Sequence, residues 1–177
     1  MPFHKSKDGR GYTIYRFYVG ILICLLLTVG PYIQMKRLEK MAPIFYTLKL
    51  SEGEYDPKHG LYIVRSPEYY KDIGIYQESM EIDAPPNTTV LIFSYWTSGP
   101  GFTKWDWHGD LSYIFENGSF IRPRGPGLEP EIYHTNNLTY NSSVSFGAWK
   151  YWEIRANSPN VTVKISVRFV KSTPPEI

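Results

Sequence analysis

The sequence predicts an all-β protein: an antiparallel β-sandwich ectodomain behind one N-terminal transmembrane helix. Three observations predict it. Apolar residues alternate with polar ones over several short segments, the period of a sheet with one buried and one wet face. Fourteen glycines and fourteen prolines are scattered without period through 177 residues, which supplies many turns and excludes a collagen repeat. One stretch, residues 17–35, runs for 19 residues without a charge.

The elements follow in chain order. Residues 1–16 form a basic cytoplasmic tail, with Lys5, Lys7, Arg10 and Arg16 against Asp8. Residues 17–35 form a signal anchor. As a helix they span about 28 Å, close to the roughly 30 Å of a bilayer's hydrocarbon core. Tyr12, Tyr15, Phe17 and Tyr18 flank one end and Tyr32 the other, as an aromatic belt does. A cleaved signal peptide is the competing reading, but Val29-Gly30-Pro31-Tyr32 is a poor small-x-small cleavage site. Residues 36–43 are a juxtamembrane stalk that Pro43 stops. Lys36, Arg37 and Lys40 against Glu39 make its charge nearly match the tail's, so charge alone barely fixes the orientation.

Residues 44–177 are the exoplasmic sandwich. Segments 44–50, 61–65 and 73–82 are its weaker strands, and 88–96 is a clearer one after Ala84-Pro85-Pro86-Asn87. Leu111, Tyr113 and Phe115 alternate with Ser112, Ile114 and Glu116, then Asn117-Gly118 leads into residues 119–122. Asn-Gly between two such runs is the strongest short hairpin signal, because a type I′ turn needs positive φ at both central residues. Residues 122–141, rich in Pro and Gly, read as one long loop and a candidate contact surface. Residues 143–155 read as one long strand or two short ones broken near Gly147. The clearest strand is 160–170, where Val161, Val163, Ile165, Val167 and Phe169 share one face. That makes seven or eight strands, which close naturally as a sandwich.

Charge and composition narrow the function. Nineteen basic against 17 acidic residues give a net +2, too balanced for a nucleic-acid binder. The single cysteine, Cys24, excludes an intrachain disulfide and a cysteine-based metal centre. No nucleophile elbow, zinc-protease helix or phosphate-cradling loop is present. No catalytic residue and no cofactor are expected. Asp106, His108 and Asp110 share a face of an extended chain and are weak candidates for an O/N metal site.

N-x-[ST] occurs at Asn87, Asn117, Asn137, Asn141 and Asn160, where the composition predicts roughly one match by chance. All lie on one side of the apolar stretch, which predicts glycosylation and puts the large domain outside the cell. Trp105, Trp107, Trp149 and Trp152 are the candidate interaction residues, since exposed aromatic faces anchor interfaces.

The segment Ile82-Asp83-Ala84-Pro85-Pro86-Asn87-Thr88-Thr89-Val90 resembles a strand lead-in of cupredoxin-like domains such as subunit II of haem–copper oxidases. The likeness covers nine residues. The copper pattern is missing, with no cysteine after Cys24 and no methionine after Met80. The layout as a whole resembles membrane-anchored β-sandwich subunits of archaeal surface and respiratory complexes. That resemblance implies a copper-free accessory subunit, such as the small single-anchor subunit of thiosulfate–quinone oxidoreductases. The expected function is a non-catalytic, single-pass cell-membrane subunit that docks on a membrane-protein or surface-layer partner. An accessory oxidoreductase subunit and a glycan- or S-layer-binding module are the alternatives.

Overall fold

The computed structural model describes residues 18–25, 29–30, 32, 43–98 and 106–171. The chain divides into two units, Met1–Lys40 and Met41–Ile177. In the first, residues 18–25 are helical, and Ile21, Leu22 and Ile23 are exposed. Among the described residues no helix is long and apolar enough to cross a membrane. The tail 1–16, the rest of the predicted span and stalk residues 36–42 lie outside the described residues.

The second unit is all-β and antiparallel. Its strands are β1 (Ile44–Lys49), β2 (Glu54–Asp56), β3 (Leu61–Arg65), β4 (Tyr69–Lys71), β5 (Gly74–Asp83) and β6 (Val90–Ser98). They continue with β7 (His108–Glu116), β8 (Ser119–Arg122), β9 (Glu131–Tyr133), β10 (Asn137–Val144), β11 (Ala148–Ala156) and β12 (Thr162–Lys171). A short 3-10 turn, Leu50–Glu52, follows β1. One sheet has the order β1-β12-β5-β10. The other runs β2-β3-β11-β6-β7-β8-β9, with β4 also on β11.

The two sheets share one core. Tyr76, Met80 and Ile82 of β5 and Val163, Ile165 and Val167 of β12 come from the smaller sheet. Ile92, Phe115, Phe120, Trp152 and Ile154 meet them from the larger. The alternation of β12 is as the sequence predicts, with Val163, Ile165 and Val167 inward and Lys164 and Arg168 outward. The Asn117-Gly118 turn is also as predicted, with φ of 49° and 74°.

Several expectations need correction. Residues 122–141 are not one loop, because β9 and the start of β10 lie within them. Segment 143–155 does break near Gly147, where any side chain would run into the Tyr70 hydroxyl. A register shift in the β6–β7 ladder, at Ile92/Phe93, takes Leu111 off the face that Tyr113 and Phe115 share. A bulge of this kind flips one side chain to the other face. Strands β3 and β4 lie end to end along β11 and are interrupted at Ser66-Pro67. Proline cannot donate to a ladder, and here Ser66 takes over: its N–H donates to the Trp152 carbonyl, and its Oγ accepts from the Trp152 N–H at 2.9 Å.

Register fixes which features share an end of the sandwich. Asp83 faces Thr162, Val90 faces both Ala156 and Phe115, and Asn137 faces Glu81. The turns carrying Asn87, Asn117 and Asn160, and the start of β10 at Asn137, therefore gather at one end. Ile44 faces Val167, and Ile75 faces Lys171 and Ser143. Strand β1 thus begins opposite the middle of β12 and runs toward the sequon end, where Lys49 faces Thr162.

Candidate functional site

The most unusual chemistry lies between the sheets. Strand β5 alternates Tyr76, Glu78, Met80 and Ile82 inward, so a carboxylate enters an apolar row. Glu78 is 1% exposed. Lys71 Nζ of β4 pairs with it across the core. Lys150 Nζ of β11 lies 3.3 Å from Oε2. Ser142 Oγ donates to Oε1 at 2.6 Å, and the Tyr140 hydroxyl donates to Oε2 at 3.2 Å. A buried carboxylate survives only when it is paired and hydrogen-bonded in this way.

The electrostatics follow from that geometry. Burial alone would raise the Glu78 carboxyl, but the Lys150 and Lys71 charges and the hydrogen bonds from Lys71 and Ser142 outweigh it and hold it at about 2. Burial pushes the Lys71 ammonium down to about 8, aided by the Lys150 charge and opposed by Glu78. Aromatic rings complete the shell: Lys150 lies 4.2 Å from the Trp152 ring and Lys71 lies 5.0 Å from the Tyr76 ring. The cleft beside Lys71, lined by Ile44, Tyr69, Tyr76, Val167 and Phe169, is barely large enough for one water. The cluster ties one sheet to the other and offers no room for a substrate.

The outer face of the larger sheet is different. Alternation on β11 sends Lys150, Trp152 and Ile154 inward and Trp149, Tyr151, Glu153 and Arg155 outward. Tyr151 stacks on its cross-strand neighbour Tyr95, with centroids 4.8 Å apart and planes 5° from parallel. Trp107 packs edge-on against Tyr151 at 4.8 Å. Gly109 lies under Tyr95, and a Cβ there would enter the ring. Arg155 stands 4.5 Å over Phe93. Arg65 Nε and Arg155 Nε reach Glu153 at 2.6 and 2.8 Å. Burial would raise the Glu153 carboxyl, and hydrogen bonds from Arg155 and Arg65 hold it below the usual carboxylate range.

The predicted interaction residues divide. Trp107 and Trp149 are half-buried on this outer face, Trp149 beside Tyr70 at 5.5 Å. Trp152 is 1% exposed and donates its Nε1–H to the Tyr69 hydroxyl at 3.1 Å, so it is a core residue and not an interaction residue. Trp105 lies outside the described residues.

Asp106, His108 and Asp110 are each exposed, and His108 packs its ring 4.8 Å from Trp96. Among the described residues no group of three His, Cys, Asp or Glu is gathered to hold a metal ion.

All five sequon asparagines, Asn87, Asn117, Asn137, Asn141 and Asn160, are exposed. Asn141 lies on β10, at the edge of the smaller sheet. The segment 82–90 closes β5 and opens β6 through a turn in which Asn87 takes φ 60°.

Sequence reasoning passed over Lys71, Glu78 and Lys150. A signal was present: Glu78 shares the period-two face of Tyr76, Met80 and Ile82, and Lys150 that of Trp152 and Ile154. A charge in an apolar row marks either a break or a buried partner. Compared with protein-family models, curated proteins and solved structures, the chain matches none.

Proposed function

We propose that the chain is a non-catalytic, membrane-anchored, glycosylated subunit whose sandwich docks on a partner membrane protein or cell-surface assembly. One observation carries the reading: aromatic and arginine side chains are concentrated on one face, and the sequons are placed elsewhere. Phe93, Tyr95, Trp107, Trp149, Tyr151, Arg65 and Arg155 occupy the outer face of the larger sheet. Aromatic residues and arginine are the types enriched in interface cores and hot spots. Asn141 belongs to the other sheet, and the remaining four sequons lie at one end. Glycans at all five positions leave the aromatic face clear.

The anchor belongs to the same reading. Residues 17–35 carry no charge, and Ile21, Leu22 and Ile23 are exposed. A domain tethered to the bilayer has a high effective concentration for its neighbours, so a modest interface suffices.

Photo-crosslinking in the native membrane tests the docking face. A photoreactive residue at Trp107 is expected to give one discrete adduct with a partner chain, and the same residue at Asn141 none. Equal labelling from both positions, or none from either, removes the docking reading.

A further inference from the structure

A strand at the edge of a sheet presents backbone N–H and C=O groups on which another strand can build. Proteins blunt such edges with charge, short length, bulges or cover. The edges of this sandwich differ in that respect. In the larger sheet β2, β4 and β9 have three residues each, and each carries charge: Glu54 and Asp56, Lys71, and Glu131. In the smaller sheet β10 turns only polar side chains outward, Asn137, Thr139, Asn141 and Ser143, and two of these head sequons. Strand β1, at the other edge of that sheet, is built differently. It has six residues, no proline, no bulge against β12 and one charge, at its last residue Lys49. Among the described residues no strand covers its far side. Phe45 on its outer face is 74% exposed, more than any other large apolar side chain among the described residues. Ile44 and Tyr46 on its inner face pack against the core yet are only half-buried, so the core is incompletely covered along this edge.

The phase of the ladder shows which groups point outward. The Leu50 N–H donates to the Val161 carbonyl at 3.0 Å, one step beyond the Lys49–Thr162 pair. Hydrogen-bonded and non-hydrogen-bonded pairs alternate along an antiparallel ladder. Leu48, Tyr46 and Ile44 therefore turn their backbone groups to β12, and Phe45, Thr47 and Lys49 turn theirs to the open side.

We infer that β1 is a dimerisation edge: two copies of this chain join β1 to β1, antiparallel, about a two-fold axis at Thr47. Two four-stranded sheets become one of eight strands. The occupant is a second copy because the strand complements itself. A two-fold axis gives antiparallel pairing in which each contact occurs twice. With the axis at Thr47, Phe45 of each copy faces Lys49 of the other, and Thr47 faces Thr47. All three outward-facing residues then find hydrogen-bonding partners. An axis at Tyr46 would set Lys49 against Pro43, which has no N–H. An axis at Leu48 would set Phe45 against Ser51 in the 3-10 turn. On the outer face the Phe45 ring lies beside the Lys49 ammonium of the other copy, a cation–π pair. The two Lys49 residues stay about 13 Å apart along the ladder, each beside its own Glu52 at 3.2 Å. On the inner face Tyr46 lies across from Leu48 of the second copy, a cross-strand apolar pair. The contact uses the edge of the smaller sheet and leaves the outer face of the larger sheet to the partner proposed above. It stands whether or not that partner exists.

Disulfide trapping on the full chain reads the register. In a Cys24→Ser background, Thr47→Cys puts two thiols on residues whose Cα atoms lie about 5.5 Å apart in such a pair, within disulfide range. Phe45→Cys, on the same strand and face, puts them about 13 Å apart, beyond it. Mild oxidation is expected to give a covalent dimer from Thr47→Cys at several-fold the yield from Phe45→Cys. A yield from Thr47→Cys no higher than that from Phe45→Cys overturns the pairing. A second variant, Thr47→Pro, removes an N–H that the β12 ladder does not use. The native chain is expected to sediment as a dimer, and Thr47→Pro as a monomer with unchanged far-ultraviolet dichroism. A native chain that sediments as a monomer, or a folded Thr47→Pro that remains a dimer, also overturns the pairing. If Thr47→Pro unfolds, the cysteine comparison decides alone.

Discussion

Lys71 and Glu78 are seven residues apart in the chain yet belong to opposite sheets, and their side chains meet in the middle of the sandwich. The β4–β5 turn carries the chain from one sheet to the other, so two near neighbours in sequence face each other across the core. With Lys150 also on the carboxylate, the interior holds two ammonium groups against one carboxylate.

Removing the shared carboxylate is therefore worse than removing one amine. Glu78→Gln leaves two buried ammonium groups facing each other and should cost about 3–5 kcal/mol. Lys71→Met leaves Glu78 paired with Lys150 and should cost clearly less. Urea unfolding of the chain measures both, and an inverted order would contradict the pairing described above.

The same cluster sets a pH dependence. Lys71 is held at about 8 in the folded chain, below the 10.5 of an ordinary lysine. Between those values the unfolded chain binds the proton that the folded one has lost, so stability contributed by this group rises with pH. It rises by at most about 1.4 kcal/mol per pH unit. Above the ordinary tyrosine value of 10.0 the buried hydroxyls of Tyr69, Tyr76 and Tyr140, all raised by burial, act in the opposite direction. Glu78 is held at about 2 against an ordinary 4.5, so its contribution is complete above 4.5 and fades as pH falls toward 2. Unfolding curves from pH 7.5 to 9.5 should show the rise in the native chain and a flatter profile in Lys71→Met.

Trp152 is expected to behave as a core residue. Trp152→Ala should cost about 3–5 kcal/mol, also stripping the Tyr69 hydroxyl of its donor. Trp107→Ala should cost much less stability, since Trp107 is only half-buried. Thermal melts of the two variants side by side test the contrast.

The Asn117 hairpin separates glycan from turn. Ser119→Ala abolishes the sequon and leaves Asn117 and Gly118 at positive φ. Asn117→Gln abolishes the sequon and also places a side chain less suited to φ 49° in the turn. Both should lower the mass by the same single glycan, while Asn117→Gln alone lowers the melting temperature, by a few degrees. Mass spectrometry and melting of chains expressed in a glycosylating host read both effects.

Gly109 sets the Tyr95–Tyr151 stack. Gly109→Ala puts a methyl group into the Tyr95 ring and should cost about 1–3 kcal/mol through overpacking. The tyrosine near-ultraviolet dichroism should change in parallel. An unchanged spectrum would show that the stack does not depend on the bare backbone at 109.

Alternation made the long strands legible. Val163, Ile165 and Val167 fall inward as their period requires, and Leu61–Arg65 is a strand with the boundaries the sequence implies. The short strands β2, β4 and β9 were not legible, because three residues contain too little of a period to detect. The bulge that moves Leu111 off the Tyr113 face depends on the neighbouring strand, so no local pattern announces it.

By itself the sequence determined the sheet class, the Asn117-Gly118 turn and the position of five exposed sequons. Each of these follows from local spacing and the conformational range of single residues. Only the tertiary structure decided that Trp152 is core while Trp107 joins Tyr151 outside, and that Glu78 finds two lysines. Which of two faces a strand buries, and what stands opposite it, depends on sheet order and register, and those are fixed by segments far away in the chain.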